Sequence, residues 1–135
     1  MTKLITFSDG GARGNPGPAG IGFVIYDEAG KLLYKKGAVL DFTTNNQAEY
    51  QALIAALKES KNLGATALIC NLDSELVVKQ LQGKYKIKEP GLQVLASEAL
   101  RLTSKFASVE FVHVPREKNK LADELVNQAL DDAGF

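Results

Sequence analysis

The stretch Phe7-Ser8-Asp9-Gly10-Gly11-Ala12-Arg13-Gly14-Asn15-Pro16-Gly17-Pro18-Ala19-Gly20 decides how the rest of the chain is interpreted. An apolar run at residues 4–7 leads to the carboxylate of Asp9, and a segment rich in glycine and proline follows. Since glycines lack a Cβ, they let a backbone or a ligand approach closely, so the stretch can present Asp9 as a metal ligand. An aspartate in a hairpin-like turn explains this stretch equally well. The rest of the chain must decide between the two interpretations.

Apolar periodicity predicts five strands and four helices in the order βββαβααβα. The strands are predicted at residues 3–8, 20–26, 32–40, 66–72 and 109–114. The first helix is capped within 43–46 and ends near 62, the second is capped by 73–74 and ends near 83, and the others span about 90–105 and 119–132. Helical crossovers make the first, fourth and fifth strands parallel, with the hairpin of the second and third strands at one edge. The sequence therefore predicts a single α/β domain, residues 1–135, with helices on both faces of a five-stranded mixed sheet.

The composition is that of an ordinary soluble protein, with 45% apolar residues. Sixteen acidic residues balance sixteen basic ones, so no overall positive charge points to a nucleic-acid partner. No apolar run has the length of a membrane span, and the first residues lack the pattern of a signal peptide. The single cysteine, Cys70, lies inside an apolar run and is expected to be a small buried hydrophobe. These features predict a cytoplasmic protein without a membrane partner, and we expect a monomer.

Four carboxylates are predicted to meet at one rim of the sheet. Asp9 and Asp73 end two strands that should be neighbours, at the carboxyl edge where α/β sheets bind ligands. Glu49 and Asp123 lie on helices beside residues that face the core. Turn and cap chemistry would explain Asp9 and Asp73 singly. Glu49 and Asp123 would each be explained by their attraction to the positive N-terminus of a helix, which contributes ~0.3–1 kcal/mol. Together the four acids would repel one another unless cations were bound, and ligand sets made only of oxygen suit Mg²⁺ or Mn²⁺ rather than zinc.

Five stretches stand out in order along the chain. They are Phe7-Ser8-Asp9-Gly10-Gly11, Gly14-Asn15-Pro16-Gly17-Pro18-Ala19-Gly20, Thr44-Asn45-Asn46-Gln47-Ala48-Glu49, Leu72-Asp73-Ser74 and Asn119-Lys120-Leu121-Ala122-Asp123-Glu124-Leu125. Together they resemble the motifs of the type 1 ribonuclease H family. The resemblance covers nearly the whole chain. It implies a ribonuclease H-like fold and a metal-dependent endonuclease that hydrolyses the RNA strand of RNA–DNA hybrids and leaves 5′-phosphate products.

The same resemblance implies the residues of the site. The catalytic and metal-binding residues would be Asp9, Glu49, Asp73 and Asp123, holding two Mg²⁺ ions, with Mn²⁺ as an alternative, ~3.5–4 Å apart. The residues that contact the hybrid would be Asn15, Thr44, Asn45 and Asn46. Loop and N-cap chemistry is the competing explanation for these four polar residues. Arg116 is placed to reach a phosphate near the metals.

The chain departs from the family pattern in three places, one of which is Glu75, where a glutamine is often found. Residues 83–89 replace a long basic protrusion that contains tryptophan, and the chain has no tryptophan. Lys84, Lys86 and Lys88 are therefore either a solvated linker or weak, salt-sensitive phosphate contacts. His113 corresponds in position to a loop histidine of the family, but it stands between two valines in a predicted strand. We therefore expect a packed, structural histidine there.

Two other functions must be weighed against a ribonuclease H. A nucleic-acid-binding module of the same fold, without catalysis, would gain nothing from an anionic pocket that faces phosphate. An exonuclease or a recombinase-like enzyme predicts a different spacing of the acids and additional domains, and the sequence shows neither. Because fold alone does not determine function, it is the presence of all four acids that favours a ribonuclease H over the other two functions.

Overall fold

The computed structural model describes residues 2–135. The strands are β1 (Lys3–Ala12), β2 (Gly17–Asp27), β3 (Leu32–Thr43), β4 (Ala67–Leu72) and β5 (Ser108–His113). The helices are α1 (Asn45–Asn62), α2 (Glu75–Leu81), α3 (Pro90–Thr103) and α4 (Lys120–Asp132), and a single 3₁₀ turn spans Arg116–Lys118. The predicted order βββαβααβα is confirmed. Most boundaries lie within three residues of the prediction, because helices and strands fray at their ends.

The strands form one sheet in the order β3-β2-β1-β4-β5. β1, β4 and β5 are parallel, and β2 and β3 form the antiparallel hairpin at one edge, as the sequence predicts. The parallel pairing of β1 with β4 ends where Ser8 lies opposite Leu72. Asp9 and Asp73 are the next residues of these two neighbouring strands. The topology therefore brings the two acids to the same edge of the sheet.

β1 is longer than predicted. The sequence predicts that it ends at Ser8, but it continues past Asp9 to Ala12, where it pairs with Ala19 of β2. The glycine-rich segment has little strand propensity, and the backbone hydrogen bonds of the hairpin determine its conformation instead. Asp9 is therefore held in a strand rather than in a loop, and its backbone is fixed on the β2 side.

α1 and α3 cover one face of the sheet, and α4 covers the other. The core between the sheet and α1 and α3 contains the large side chains, including Phe23, Tyr50 and Leu57. On the opposite face the backbone of α4 lies directly against β2 and β3. A Cβ at Gly22 or at Gly37 would collide with backbone carbonyl oxygens of α4. Glycine is required at these positions because it allows the helix to approach the sheet closely.

Local caps fix where the helices near the acids begin. The Thr44 hydroxyl accepts a hydrogen bond from Gln47 N–H at 3.2 Å and caps α1, and the Ser74 hydroxyl caps α2 through Val77 N–H at 3.3 Å. Glu49 therefore lies in the second turn of α1, and α2 begins directly after Asp73. Every helix within residues 2–135 is too short or too polar to cross a lipid bilayer.

Cys70 is fully buried in β4, as predicted. Burial raises the pKa of its thiol to about 12, so it is protonated at neutral pH. A protonated, buried thiol is inert as a nucleophile and as a metal ligand. Cys70 therefore belongs to the hydrophobic core.

Candidate active site

Asp9 lies at the edge of the sheet where β1 and β4 separate. It pairs with Gly22 of β2, and a Cβ at Gly22 would point into α4. Residues paired across two antiparallel strands point to the same face, so the Asp9 side chain lies on the α4 face of the sheet. Only 8% of Asp9 is exposed. The strand therefore fixes both the position and the direction of this carboxylate.

Glu49 reaches Asp9 from the other side of the sheet. It lies on α1 and is 6% exposed, and its Oε1 accepts a hydrogen bond from Gly10 N–H at 3.0 Å. A Cβ at Gly10 would collide with the backbone of Ala48 and Glu49. The missing side chain at Gly10 therefore lets α1 pack close enough for its carboxylate to reach the edge of β1.

Three of the four predicted acids form a tight cluster. One carboxylate oxygen each from Asp9, Glu49 and Asp73 lies within 4.8 Å of the other two. Asp123, in the first turn of α4, lines the same open cavity of about 500 Å³. Burial is the main cause of the raised pKa of both Asp9 and Asp73, and the negative charge of Asp123 adds to it. The structure thus brings together all four acids, with Asp123 outside the tight group of three.

Burial and mutual repulsion oppose the ionisation of these acids. Burial, with smaller contributions from the charges of Asp73 and Asp123, raises the pKa of Asp9 to about 6, although the contact with Glu49 acts in the opposite direction. Burial also raises the pKa of Glu49 well above its usual range, and the neighbouring Asp9 raises it further. For Asp73, burial raises the pKa, and the Asn119 amide and the Arg116 charge act in the opposite direction. A bound cation would remove this penalty because it favours the ionised carboxylates.

The donor set fits a hard divalent cation. All candidate ligands are carboxylate oxygens, which suit Mg²⁺ and Mn²⁺ better than zinc. Oε2 of Glu49 is buried and has no hydrogen-bond partner among residues 2–135. A buried acceptor without a partner is costly, and a metal ligand is one of the few roles that would satisfy it. The cluster is therefore able to hold a metal ion.

The predicted substrate residues divide into two groups. Asn45 and Asn46, at the start of α1, line the cavity of the acids. Asn15 and Thr44 do not appear in its lining and make local structural bonds. Asn15 Oδ1 accepts from Asn45 N–H at 3.0 Å, and Thr44 caps α1. Asn45 Oδ1 in turn accepts from Ala12 N–H at 2.7 Å. The loop and cap chemistry proposed as the alternative is therefore present, and a substrate contact would use the remaining amide donors.

Arg116 lines the cavity from the short 3₁₀ turn, as its position in the sequence predicts. His113 behaves differently from the prediction. It is the last residue of β5 and its side chain is exposed, so it is not a packed structural histidine. The physical reason is that β5 ends there as an edge strand with a partner on one side only. His113 also lies outside the cavity lining.

Lys84, Lys86 and Lys88 are exposed in the connection between α2 and α3 and do not line the cavity of the acids. Backbone bonds from Lys84 and Tyr85 to the Lys79 carbonyl hold the start of this connection against α2. The Lys79 ammonium lies 5.2 Å from the centre of the Tyr85 ring. This basic segment is therefore partly ordered, and its role in binding stays a prediction.

Two residues of the site were not identified from the sequence. Arg13 lines the cavity, and its Nη1 lies 2.7 Å from Asp131 Oδ1 of α4. Asn119 is buried beside the acids at the start of α4. Asn119 begins one of the motif stretches and Arg13 lies between two of them, but a lone arginine in a glycine-rich segment and an asparagine before a helix have common local explanations.

Comparison with known proteins identifies relatives over almost the whole chain. A family model described as reverse transcriptase-like matches residues 7–129. Ribonuclease HI of Halobacterium salinarum is 42% identical over 97% of this chain and 66% of the relative. A bifunctional protein of Mycobacterium tuberculosis is 44% identical over 97% of this chain. The chain spans 36% of the length of that mycobacterial relative.

A solved structure extends the comparison to a complex. LC11-RNase H1 in complex with an RNA/DNA hybrid is 48% identical to this chain and superposes with a TM-score of 0.92. The alignment covers 96% of this chain and 98% of that one. The similarity therefore includes the strand ends and helix starts that carry the acids.

Proposed function

The chain belongs to the ribonuclease H family, and we propose that it is an endoribonuclease that hydrolyses the RNA strand of RNA–DNA hybrids. The observation that carries the proposal is the cluster of Asp9, Glu49 and Asp73, whose oxygens lie within 4.8 Å of one another beside Asp123. The family membership makes a hybrid the first substrate to test. A relative with 48% identity has been solved with an RNA/DNA hybrid, which supports the same substrate class here.

The four acids would hold two divalent ions, Mg²⁺ or alternatively Mn²⁺. When bound, the ions would lower the pKa of the attacking water and neutralise charge at the scissile phosphate. Attack by water with the 3′ oxygen as the leaving group would break the P–O3′ bond and leave the phosphate on the 5′ oxygen, which gives a 5′-phosphate product. The cavity lining within residues 2–135 includes neither a cysteine nor a histidine. This supports hydrolysis without a covalent intermediate on the protein.

The remaining residues of the cavity would orient the substrate. Gly10 N–H holds one oxygen of Glu49, which leaves the other oxygen free to act as a ligand. Arg116 offers a positive charge to a phosphate beside the acids. Asn45 and Asn46 present amide donors that suit the sugar edge and 2′-hydroxyl groups of the RNA strand. Asn15 and Thr44 would act mainly by holding Asn45 and the start of α1 in place.

The test is to digest a labelled RNA–DNA hybrid, an RNA duplex and a DNA duplex in parallel, with Mg²⁺, Mn²⁺ or EDTA. We expect cleavage of the RNA strand of the hybrid, with either metal and not with EDTA, and fragments that carry 5′-phosphates. Equal cleavage of all three duplexes, or metal-dependent binding of the hybrid without cleavage, would contradict the proposal. The cytoplasmic location and the monomeric state stay predictions.

A further inference from the structure

Asn119 connects the two elements that carry Asp9 and Asp123. Its side chain is buried, with 1% exposed, and Nδ2 donates a hydrogen bond to the Ser8 carbonyl at 2.9 Å. That carbonyl belongs to the peptide group that joins Ser8 to Asp9. The Asn119 carbonyl accepts the N–H of Asp123 at 3.1 Å. One residue therefore bonds to the backbone on both sides of the cavity.

Asn119 does not do what an asparagine before a helix usually does. An asparagine at the N-cap normally accepts a hydrogen bond from a backbone N–H of the first turn and stabilises the helix. The Asn119 side chain makes no such bond to α4. Its Oδ1 is buried and has no partner among residues 2–135. The protein thus accepts an unpaired polar atom while the side chain bonds to β1 instead of to its own helix.

Asn71 provides a comparison within the same sheet. It is also a buried asparagine, and its Nδ2 donates to the Thr6 carbonyl of β1 at 3.1 Å. Both amides tie a neighbouring element to the backbone of β1. Thr6 lies three residues before Asp9, whereas the Ser8 carbonyl adjoins it. Asn71 lies in β4, which leads to Asp73, but backbone pairing already joins β4 to β1 up to Ser8 and Leu72, so the position of Asp73 does not depend on the Asn71 side chain.

We propose that Asn119 is a positioning residue that fixes the start of α4 to β1 so that Asp123 and Asp9 face the same metal ions. The inference deepens the proposed function and rests on it. Residues that orient metal ligands from behind commonly change metal affinity or activity by about 10–100-fold when they are removed. A residue that served stability alone would leave the metal affinity of the folded protein unchanged.

The test compares Mn²⁺ binding by the wild-type protein, Asn119→Ala, Asn119→Ser and Asn71→Ala, measured by electron paramagnetic resonance without substrate. Serine is a good N-cap but is too short to keep the bond to Ser8, so it separates helix stability from positioning. We expect Mn²⁺ affinity to fall about 10-fold or more in both Asn119 variants and to stay within about twofold in Asn71→Ala. In hybrid cleavage, kcat of the Asn119 variants should fall while KM stays nearly unchanged.

Each outcome decides the inference. Wild-type Mn²⁺ affinity in Asn119→Ser would show that Asn119 serves stability alone. An equal loss of affinity in Asn71→Ala would show that any lost side-chain bond to β1 weakens the metal site, and it would also overturn the inference. If Asn119→Ala does not fold, the Mn²⁺ affinity of Asn119→Ser decides whether Asn119 positions the acids. If Asn119→Ser does not fold either, Asn119 serves stability and the inference is overturned. A wild-type protein that binds Mn²⁺ but cuts no hybrid would overturn the proposed function, and the Mn²⁺ comparison would still decide the role of Asn119.

Discussion

The four acids of the site form two pairs, which differ in their burial and in the strands and helices that carry them. Asp9 and Glu49, the inner pair, lie in a strand and a helix packed around Gly10, and each is less than 10% exposed. Asp73 and Asp123, the outer pair, lie directly after a strand and in the first turn of a helix, and each is half-buried. Burial fixes the geometry of the inner pair but opposes its ionisation. The outer pair keeps access to solvent, and the Arg116 charge acts on Asp73.

The strongest way to test this difference is to neutralise one acid of each pair. Asp9→Asn removes a central ligand of the cluster, so we expect kcat/KM for hybrid cleavage to fall by about 10³-fold or more, about 4 kcal/mol in the barrier. Asp123→Asn removes an acid outside the group of three, so a loss of only about 10–100-fold is expected. Circular dichroism should show both variants folded. Equal losses in the two variants would remove the distinction between the pairs.

The geometry of the inner pair is tested by adding one methyl group. Gly10→Ala would place a Cβ against the backbone of α1, and we expect a destabilisation of about 1–3 kcal/mol in urea unfolding together with weaker Mn²⁺ binding. Gly11→Ala is the matched control, because its Cβ would have its nearest neighbour, Asn45 Oδ1, at 3.8 Å. The close packing of α1 on Gly10 would be unimportant if both alanine variants bound Mn²⁺ like the wild type.

The ionisation cost of the inner pair should appear as a pH dependence of stability without metal. The pKa of Asp9 is about 6 in the folded protein, against an ordinary value of 3.8. Between pH 3.8 and pH 6 the folded state therefore binds more protons at this residue than the unfolded state does. The contribution of Asp9 to the free energy of unfolding is therefore fully present below pH 4 and is lost as the pH rises through 6. In EDTA at pH 7, Asp9→Asn should therefore be more stable than the wild type by on the order of 3 kcal/mol.

Urea unfolding of the wild type and Asp9→Asn at pH 4 and pH 7, both in EDTA, measures this difference. The two proteins should be close in stability at pH 4, and saturating Mg²⁺ should reduce the gap at pH 7 because it binds only the wild-type cluster tightly. A wild type that is more stable than Asp9→Asn at pH 7 without metal would contradict the predicted direction.

The smallest effect concerns a region far from both pairs. Replacing Lys84, Lys86 and Lys88 together by alanine should raise KM a few-fold at low salt and leave kcat unchanged. A lysine that binds a phosphate releases a counterion. In a plot of log KM against log salt concentration, the slope of the triple variant should therefore be smaller than that of the wild type, by about one unit for each lysine that binds a phosphate. KM measured between low and high salt in both proteins tests this. An unchanged salt dependence would show that the three lysines are a solvated linker.

Most of the fold follows from short-range patterns. The cap residues Thr44 and Ser74 and the alternation of the strands predict the order of the elements and the parallel and antiparallel pairs. The extension of β1 past Ser8 could not be predicted, because glycine-rich segments form strands only when a partner strand is present. The exposure of His113 could not be predicted either, since it depends on β5 being an edge strand.

The sequence by itself determined which acids stand at strand ends and helix starts, and the resemblance to a family assigned them to one catalytic metal site. Only the tertiary structure decided that three of them lie within 4.8 Å of one another, that Glu49 reaches Asp9 past Gly10, and that Asn119 joins β1 to α4. Periodicity and caps arise from residues a few positions apart, which a sequence displays directly. Distances between Asp9 and residues 40 to 114 positions away depend on how closely helices pack on glycines of other strands, and the burial that raises the pKa of Asp9 and Glu49 arises from the same packing.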